Sequence, residues 1–285
     1  MTVKLAPIES ADIAAVAEFL HLHLNSRVPA AAWRAAMNVP WKVDAPNFGF
    51  MLTVDEAVVG AYLAFYSQRC VAGQPERFCN LGAWCVRPEY RFHSIRLLKA
   101  LLAQQGYHFT DLSPSGNVVK LNERLKFRAL DTTTALIPNI PVPAVAARTK
   151  ITSRSAALAD RLAGSELELY LDHRQAAAAR HLLISRGGED CYLIFRKARR
   201  KNLPLFAVIL YASNPDVLRA GIGRVRTRLL LRHGALATLA ELRTIGRRPR
   251  LSVLLPTPRP KMFRSSTLAS EQIDDLYSEL ACVPW

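Results

Sequence analysis

Apolar positions recur along this chain with two periods, and they predict an ordered series of elements. Ile13, Val16, Phe19 and Leu20 fall at helical spacing behind the capping signature Ile8-Glu9-Ser10-Ala11-Asp12. A strand over Val3 to Ala6 precedes this helix, and a second helix is expected over Ala30 to Met37. Phe48 to Val54, the turn Asp55-Glu56-Ala57 and Val58 to Tyr66 read as an antiparallel hairpin, rich in β-branched and aromatic residues. A strand over Phe78 to Val86 follows, then a helix from Ser94 to Gln105 with Ile95, Leu98, Leu101 and Leu102 on one side, stopped by Gly106. Tyr107 to Leu112 is a strand, Asn117 to Leu125 a helix and Phe127 to Ile137 a further strand.

The second half carries strand patterns at Tyr192 to Phe195 and Phe206 to Tyr211, then a helix from Val217 to His233. Leu218, Ile222, Val225 and Leu229 make its apolar stripe, while Arg224, Arg228 and Arg232 repeat at i, i+4 on another face, where like charges repel. A bound polyanion or a carboxylate such as Glu241 would relieve that repulsion. Arg148 to Gly164 reads as helical, and Ser270 to Leu280 as a serine-capped closing helix. Three prolines in Ile137-Pro138-Asn139-Ile140-Pro141-Val142-Pro143 forbid helix and mark a linker. At 285 residues two domains are the better expectation, divided as 1–137, a linker over 138–150, and 151–285.

The element order gives an α/β (α+β) class: a mixed, mostly antiparallel sheet flanked by helices. The junction after the Phe78–Val86 strand is the most informative. Trp84-Cys85-Val86-Arg87-Pro88 leaves a strand and turns into a helix, whose first N–H groups lack internal partners and present the positive end of the dipole. Arg91 and Arg96 add charge to that turn, so an anion is the expected occupant. Aligning Pro215 with Pro88 sets Gly221 and Gly223 opposite Ser94 and Arg96, which points to an internal repeat.

Composition adds three constraints. No apolar run approaches the ~20 residues a membrane helix needs, and the first residues lack a signal-peptide core, so a cytoplasmic location is expected. Five cysteines without a CxxC pair suggest neither a disulfide framework nor a zinc site, and no metal is expected. Cys85 is read as a small buried hydrophobe rather than a nucleophile. The net charge of +15 is uneven: residues 1–150 contribute +5 and residues 151–285 contribute +10. The basic second half therefore favours an anionic partner: nucleic acid, an acidic glycan, a phospholipid surface or CoA.

Val58-Val59-Gly60 opening a long strand, Val86-Arg87-Pro88-Glu89-Tyr90-Arg91 before a helix, and Asn117 to Phe127 ending Leu125-Lys126-Phe127 together make residues 1–137 resemble the GNAT acyltransferase superfamily. The resemblance implies a GNAT-like acyl-CoA-binding domain, with residues 151–285 a second, degenerate copy. It implies acetyl-CoA or another acyl-CoA as cofactor, held by Trp84, Cys85, Val86, Arg91, Phe92, His93, Ser94, Ile95, Arg96 and Asn117. Acyl transfer to an amine or hydroxyl, on a small molecule or a glycan, is the activity implied. The usual phosphate turn of that family carries small residues where this chain has Ser94 and Arg96, and its frequent tyrosine acid falls at Asn122. For the general base, Glu76 and His108 are the candidates, each equally readable as a turn carboxylate and an ordinary strand histidine. Fem-type and leucyl/phenylalanyl-type aminoacyltransferases also join two GNAT-like folds, so aminoacyl-tRNA-dependent transfer is the alternative activity. A non-catalytic binding protein is the third.

Overall fold

The computed structural model describes residues 2–141, 149–200 and 203–285. The chain forms two compact units: Met1–Leu130 with Pro260–Ile273 and Tyr277–Trp285, and Asp131–Arg259 with Asp274–Leu276.

The first unit opens with β1 (Lys4–Pro7), α1 (Ile13–His23) and α2 (Ala30–Met37). Three antiparallel strands follow, β2 (Gly49–Val54), β3 (Ala57–Val71) and β4 (Gln74–Val86). Asp55 and Glu56, at φ 46° and 67°, make the left-handed two-residue turn that suits the twist of a hairpin. Then come α3 (Ser94–Leu102), β5 (His108–Asp111), α4 (Gly116–Arg124) and the two-residue β6 (Arg128–Ala129). The apolar run on β3 is buried on both faces, as a central strand requires. Ala61, Leu63 and Phe65 pack with Val16, Leu20 and Trp33 of α1 and α2, while Tyr62, Ala64 and Tyr66 pack with Leu97, Leu98 and Leu101 of α3.

The second unit begins at β7 (Thr134–Pro138) and continues through β8 (Thr149–Thr152), α5 (Ser155–Arg161), α6 (Gly164–His173), β9 (Ala179–Arg186), β10 (Glu189–Arg200), β11 (Leu203–Ala212) and α7 (Pro215–His233). It ends with β12 (Ala237–Glu241), α8 (Leu242–Ile245) and β13 (Val253–Leu254). Leu218, Val225 and Leu229 of α7 are buried against Leu182, Leu193, Phe195 and Ile209, the stripe that the sequence implies. The chain then returns to the first unit with β14 (Met262–Arg264) and α9 (Glu279–Cys282).

The two seven-stranded sheets repeat one another. Their orders are β1-β2-β3-β4-β5-β14-β6 and, read from the matching edge, β8-β9-β10-β11-β12-β7-β13. Each contains one parallel pair among the described residues, β4 with β5 and β11 with β12, and in each the helix that follows the fourth strand has a proline in its first turn. The duplication expected from Pro88 and Pro215 is thus visible in the topology.

Three sequence expectations need correction. The single strand over Phe127–Ile137 is two, β6 and β7, in different sheets, so the chain divides at Leu130 rather than at 137. Pro138, read as the start of a linker, is the last residue of β7, where a strand tolerates the missing N–H; residues 142–148 lie outside the described ones. Arg148–Gly164 is not one helix, because Thr149–Thr152 pair with Leu183–Arg186 as β8 before α5 begins.

The closing helix expected over Ser270–Leu280 is a 3₁₀ turn at Ser270–Gln272 and the short α9, with Tyr277 between them at φ 53°. Residues 274–276 belong to the second unit, where Arg243 bonds the 1%-exposed Asp275 carboxylate at 2.5 Å and Glu241 at 2.6 Å. A buried ion pair outweighs the local helical pattern. Removing the guanidinium takes the salt bridge from two buried carboxylates, so Arg243→Ala should lower unfolding stability by about 3–5 kcal/mol in urea titrations. A loss below about 1 kcal/mol would show that the pair does not hold this excursion.

Candidate active site

In the first unit β4 and β5 pair in parallel at Phe78–His108, Cys79–Phe109 and Asn80–Thr110, and then part. A bulge opposite Ala61–Leu63 re-aims β4, with Ala83 in the left-handed region at φ 57°. For a residue with a Cβ that conformation costs about 1–2 kcal/mol. Its effect is to leave Leu81–Val86 as strand edge that β5 does not pair, at the carboxyl ends of two parallel strands where open sheets bind ligands.

Buried polar groups fill the fork. Asn80 donates to Thr110 O and Oγ1 at 3.4 and 3.1 Å, and its Oδ1 accepts from the Glu279 backbone N–H at 3.0 Å. The Glu279 carboxylate accepts from Ser113 Oγ at 2.8 Å. Gly82 makes room for that residue, since a Cβ there would stand 2.9 Å from Glu279 Cβ. Asp111, the last residue of β5, is buried and accepts from Asn122 Nδ2 at 2.8 Å. Burial pushes its carboxyl up to about 6, against the opposing hydrogen bonds from Asn122 and the Ser113 amide. Tyr62 stacks on Trp84 with centroids 4.6 Å apart, and its hydroxyl is held protonated by burial and then by the charges of Asp111 and Glu279. The Trp84 indole Nε1 is buried with no hydrogen-bond partner among the described residues.

Beyond Val86 the chain makes a 3₁₀ turn, Pro88–His93, that runs into α3. Its amides are partly committed: Tyr90 N–H donates to Arg87 O and Ser94 N–H to Arg91 O. Phe92 is 95% exposed and Arg91 is exposed beside it, so the turn is open to solvent. The Arg91 charge acts on Cys85, whose thiol burial nevertheless pushes to about 11, which leaves it protonated at neutral pH. Arg96 is tied to Val3 O at 3.1 Å and lies near His93 Nδ1, and Ile95 packs partly buried into the α3 face of the core. Asn117 is exposed in the first turn of α4.

Glu76 and His108 do meet, with His108 Nε2 2.8 Å from Glu76 Oε2. They stand near the starts of β4 and β5, however, and nine residues of strand at ~3.3 Å each put Glu76 roughly 30 Å from Cys85. The carboxylates at the fork are instead Asp111 and Glu279. A strand ending in an acid flags Asp111 in the sequence, whereas nothing local flags Glu279, whose partner Asn80 is 199 residues away.

The second unit closes the equivalent helix start. The Asn214 side chain accepts from the Asp216 and Val217 amides, and Asp216 adds a carboxylate to the first turn and pairs with Arg219. Gly221 and Gly223 lie within α7, not in a loop. A Cβ on Gly221 would meet Thr149 Cγ2 at 3.0 Å, so this glycine serves helix-to-sheet packing.

Comparison with solved structures matches this arrangement over nearly the whole chain. A GCN5-related N-acetyltransferase from Anabaena variabilis superposes with a TM-score of 0.57 at 13% identity, covering 92% of this chain and 72% of that one. This protein has the GNAT fold. A GCN5-related N-acetyltransferase from Kribbella flavida gives 0.55 at 13% identity, covering 92% and 71% of the two chains. Saccharomyces cerevisiae N-myristoyltransferase with bound myristoyl-CoA gives 0.51 at 10% identity, covering 92% and 83%. No family model and no curated relative matches the sequence. At such identities the GNAT fold is what the likeness establishes, in acyltransferase company. No helix among the described residues is long and apolar enough to cross a membrane.

The buried Asp111 carboxyl makes stability depend on pH. Its folded pKa of about 6 lies above the ordinary 3.8, so the folded state binds this proton more tightly and stability is lost as pH rises from about 4 to about 6. Asp111→Asn keeps an acceptor for Asn122 and removes the charge, and should stabilise the protein above pH 6 by on the order of 3 kcal/mol while changing little at pH 4. Urea unfolding at both pH values checks this; an equal difference at the two would refute it.

Proposed function

We propose that the first unit is an acyl-CoA-dependent acyltransferase whose acyl donor lies along the unpaired edge of β4. The observation that carries this is the fork itself: a bulged strand end that β5 does not pair from Leu81 to Val86 and that becomes half-exposed at Trp84–Val86, an exposed turn carrying Arg91, and a buried ionisable carboxylate where the strands part. These residues fit such a donor. Its pantetheine arm would be held by the backbone of Trp84, Cys85 and Val86, and its pyrophosphate by Arg91 with the Ser94 hydroxyl, the side chains standing in for the glycine-lined amides that this turn lacks. The closed start of α7 supports placing the donor in the first unit. When bound, acyl-CoA supplies an activated thioester; the protein has to orient it, receive charge on the carbonyl oxygen and take a proton from the acceptor.

The backbone N–H of Cys85 or Val86 receives the carbonyl oxygen. Asp111, ionised above about pH 6 and held by Asn122, would take the proton from an acceptor amine or hydroxyl as the acceptor bonds the acyl carbon; the C–S bond breaks, and the CoA thiolate leaves as the anion and is protonated from solvent. Glu279 positions the fork through Asn80 and Ser113 rather than reacting. The acceptor in this reading is a small molecule or a glycan, acetyl-CoA is the first donor to try, and a cytoplasmic location suits both.

Thermal shift of the full chain tests the donor. A CoA ester bound only to the native state at a hundredfold excess over Kd should add about 2.7 kcal/mol of stability, seen as a raised Tm. Arg91→Ala should reduce that rise, whereas Leu218→Ala, at the matching place in the second unit, should not. No response to any CoA ester together with salt-sensitive RNA binding would favour the aminoacyl-tRNA-dependent alternative, and silence in both the non-catalytic one. For the base, Asp111→Asn should cut kcat by about 10²–10⁴ and abolish the rise of kcat/KM through pH 6. An unchanged profile would remove Asp111 from the role.

A further inference from the structure

The second unit contains a cavity that the transfer reaction does not use. β8 pairs with β9 only as far as Thr152–Leu183, so β9 runs on to Ala179 with that edge uncovered, and α5, α6 and the end of α7 wall the notch. The space amounts to about 640 Å³, within the ~300–1,000 Å³ of small-molecule sites. Ser153, Ser155, Arg174, Gln175, Arg180, His181 and His233 contribute to its polar lining, and none of the ten residues around it is acidic.

We propose that this notch is a binding site for a small polyanion, a metabolite-sized molecule bearing phosphate or carboxylate groups. Two guanidiniums, two serine hydroxyls and a carboxamide converge as donors on one space, which is the chemistry that recognises such oxygens. Arg180 is anchored through Ala177 O and Ala179 O at 3.0 and 2.7 Å, so its charge is fixed at the rim. Arg228 bonds Ser153 Oγ at 3.0 Å, and its buried Nε has no partner among the described residues.

The ring of His181 is fixed as well. Its Nε2 lies 3.2 Å from His173 O, which requires an N–H there and leaves Nδ1 to accept from Tyr192 OH at 2.8 Å. Burial lowers its pKa to about 4, so His181 is a neutral wall of the site. Burial first, and then the positive charges of Arg228, Lys197 and Arg180, hold the pKa of His233 below the usual value. Glu241, the carboxylate expected to relieve the arginines of α7, is engaged by Arg243 instead. An incoming anion would supply the missing counter-charge.

Isothermal titration calorimetry of the full chain with sodium pyrophosphate and, separately, citrate at fixed ionic strength tests the site. Saturable binding of one equivalent is expected for at least one probe, and preference for pyrophosphate or for citrate assigns the phosphate or the carboxylate class. Arg174→Glu, at an exposed position, should weaken it at least tenfold, and Gln175→Glu should weaken it independently, while Arg91→Ala in the first unit leaves it within twofold. The proposal is overturned if neither probe saturates, if both charge-altering variants bind as the parent does, or if Arg91→Ala abolishes binding, which would put the anion at the proposed donor turn.

Discussion

The Asn80 carboxamide holds the point at which β4 and β5 separate. It donates to one strand at Thr110 and accepts from the start of α9 at Glu279, so a buried amide that would be costly unpaired is satisfied only when all three segments are in place. The fork depends on this bridge. The bulge at Ala83 turns β4 away from β5, and the Asn80 bridge ties the last paired position to the start of α9. The bulge at Ala83 costs local strain, and the contacts of Glu279 over Gly82 and with Ser113 offset it.

Opening the fork brings carboxyl groups into a low-dielectric place. Asp111 is not neutralised by a nearby cation; it is steadied by neutral donors, Asn122 and the Ser113 amide, and its pKa rises by desolvation to a value still below neutral. In the second unit, by contrast, the carboxylates of Glu241 and Asp275 are held by the Arg243 guanidinium as structural ties. The same residue type thus does opposite work in the two units, according to whether its partner is a charge or an amide.

The elements were legible where the information was local. α2 spans Ala30–Met37 as its pattern implies, the Asp55-Glu56 turn joins β2 to β3, and the continuous apolar run on β3 divides between two core faces. Reading failed where a distant partner decides. Asp275 leaves a helical pattern for Arg243, and Met262–Arg264 takes the place beside β5 that the strand following β6 would otherwise fill. The site divides in the same way. Trp84 to Arg91 could be read as a strand-to-helix junction, but the carboxylate of the fork could not be chosen. Glu76 and His108 look like acid–base residues on neighbouring strands and do pair, yet position along a parallel strand, which spacing does not convey, sets them at the end away from the fork.

Two copies of one topology differ most at the helix that follows their fourth strand. In the second unit Asn214 and Asp216 supply acceptors and negative charge to the first amides of α7, and Gly221 draws that helix close to Thr149. An anion there would have to displace a side-chain cap and approach a carboxylate, so the geometry that suits phosphate has been spent on packing and stability. In the first unit no side chain caps the turn at Arg87, Pro88 fixes its start, and Arg91 stands exposed beside it. Where the second unit does concentrate unopposed positive charge is the notch beyond β8, at the other end of α7. On the two proposals made above, the first copy holds its anion at the start of this helix and the second beside its end, so the two anions would not compete for one site.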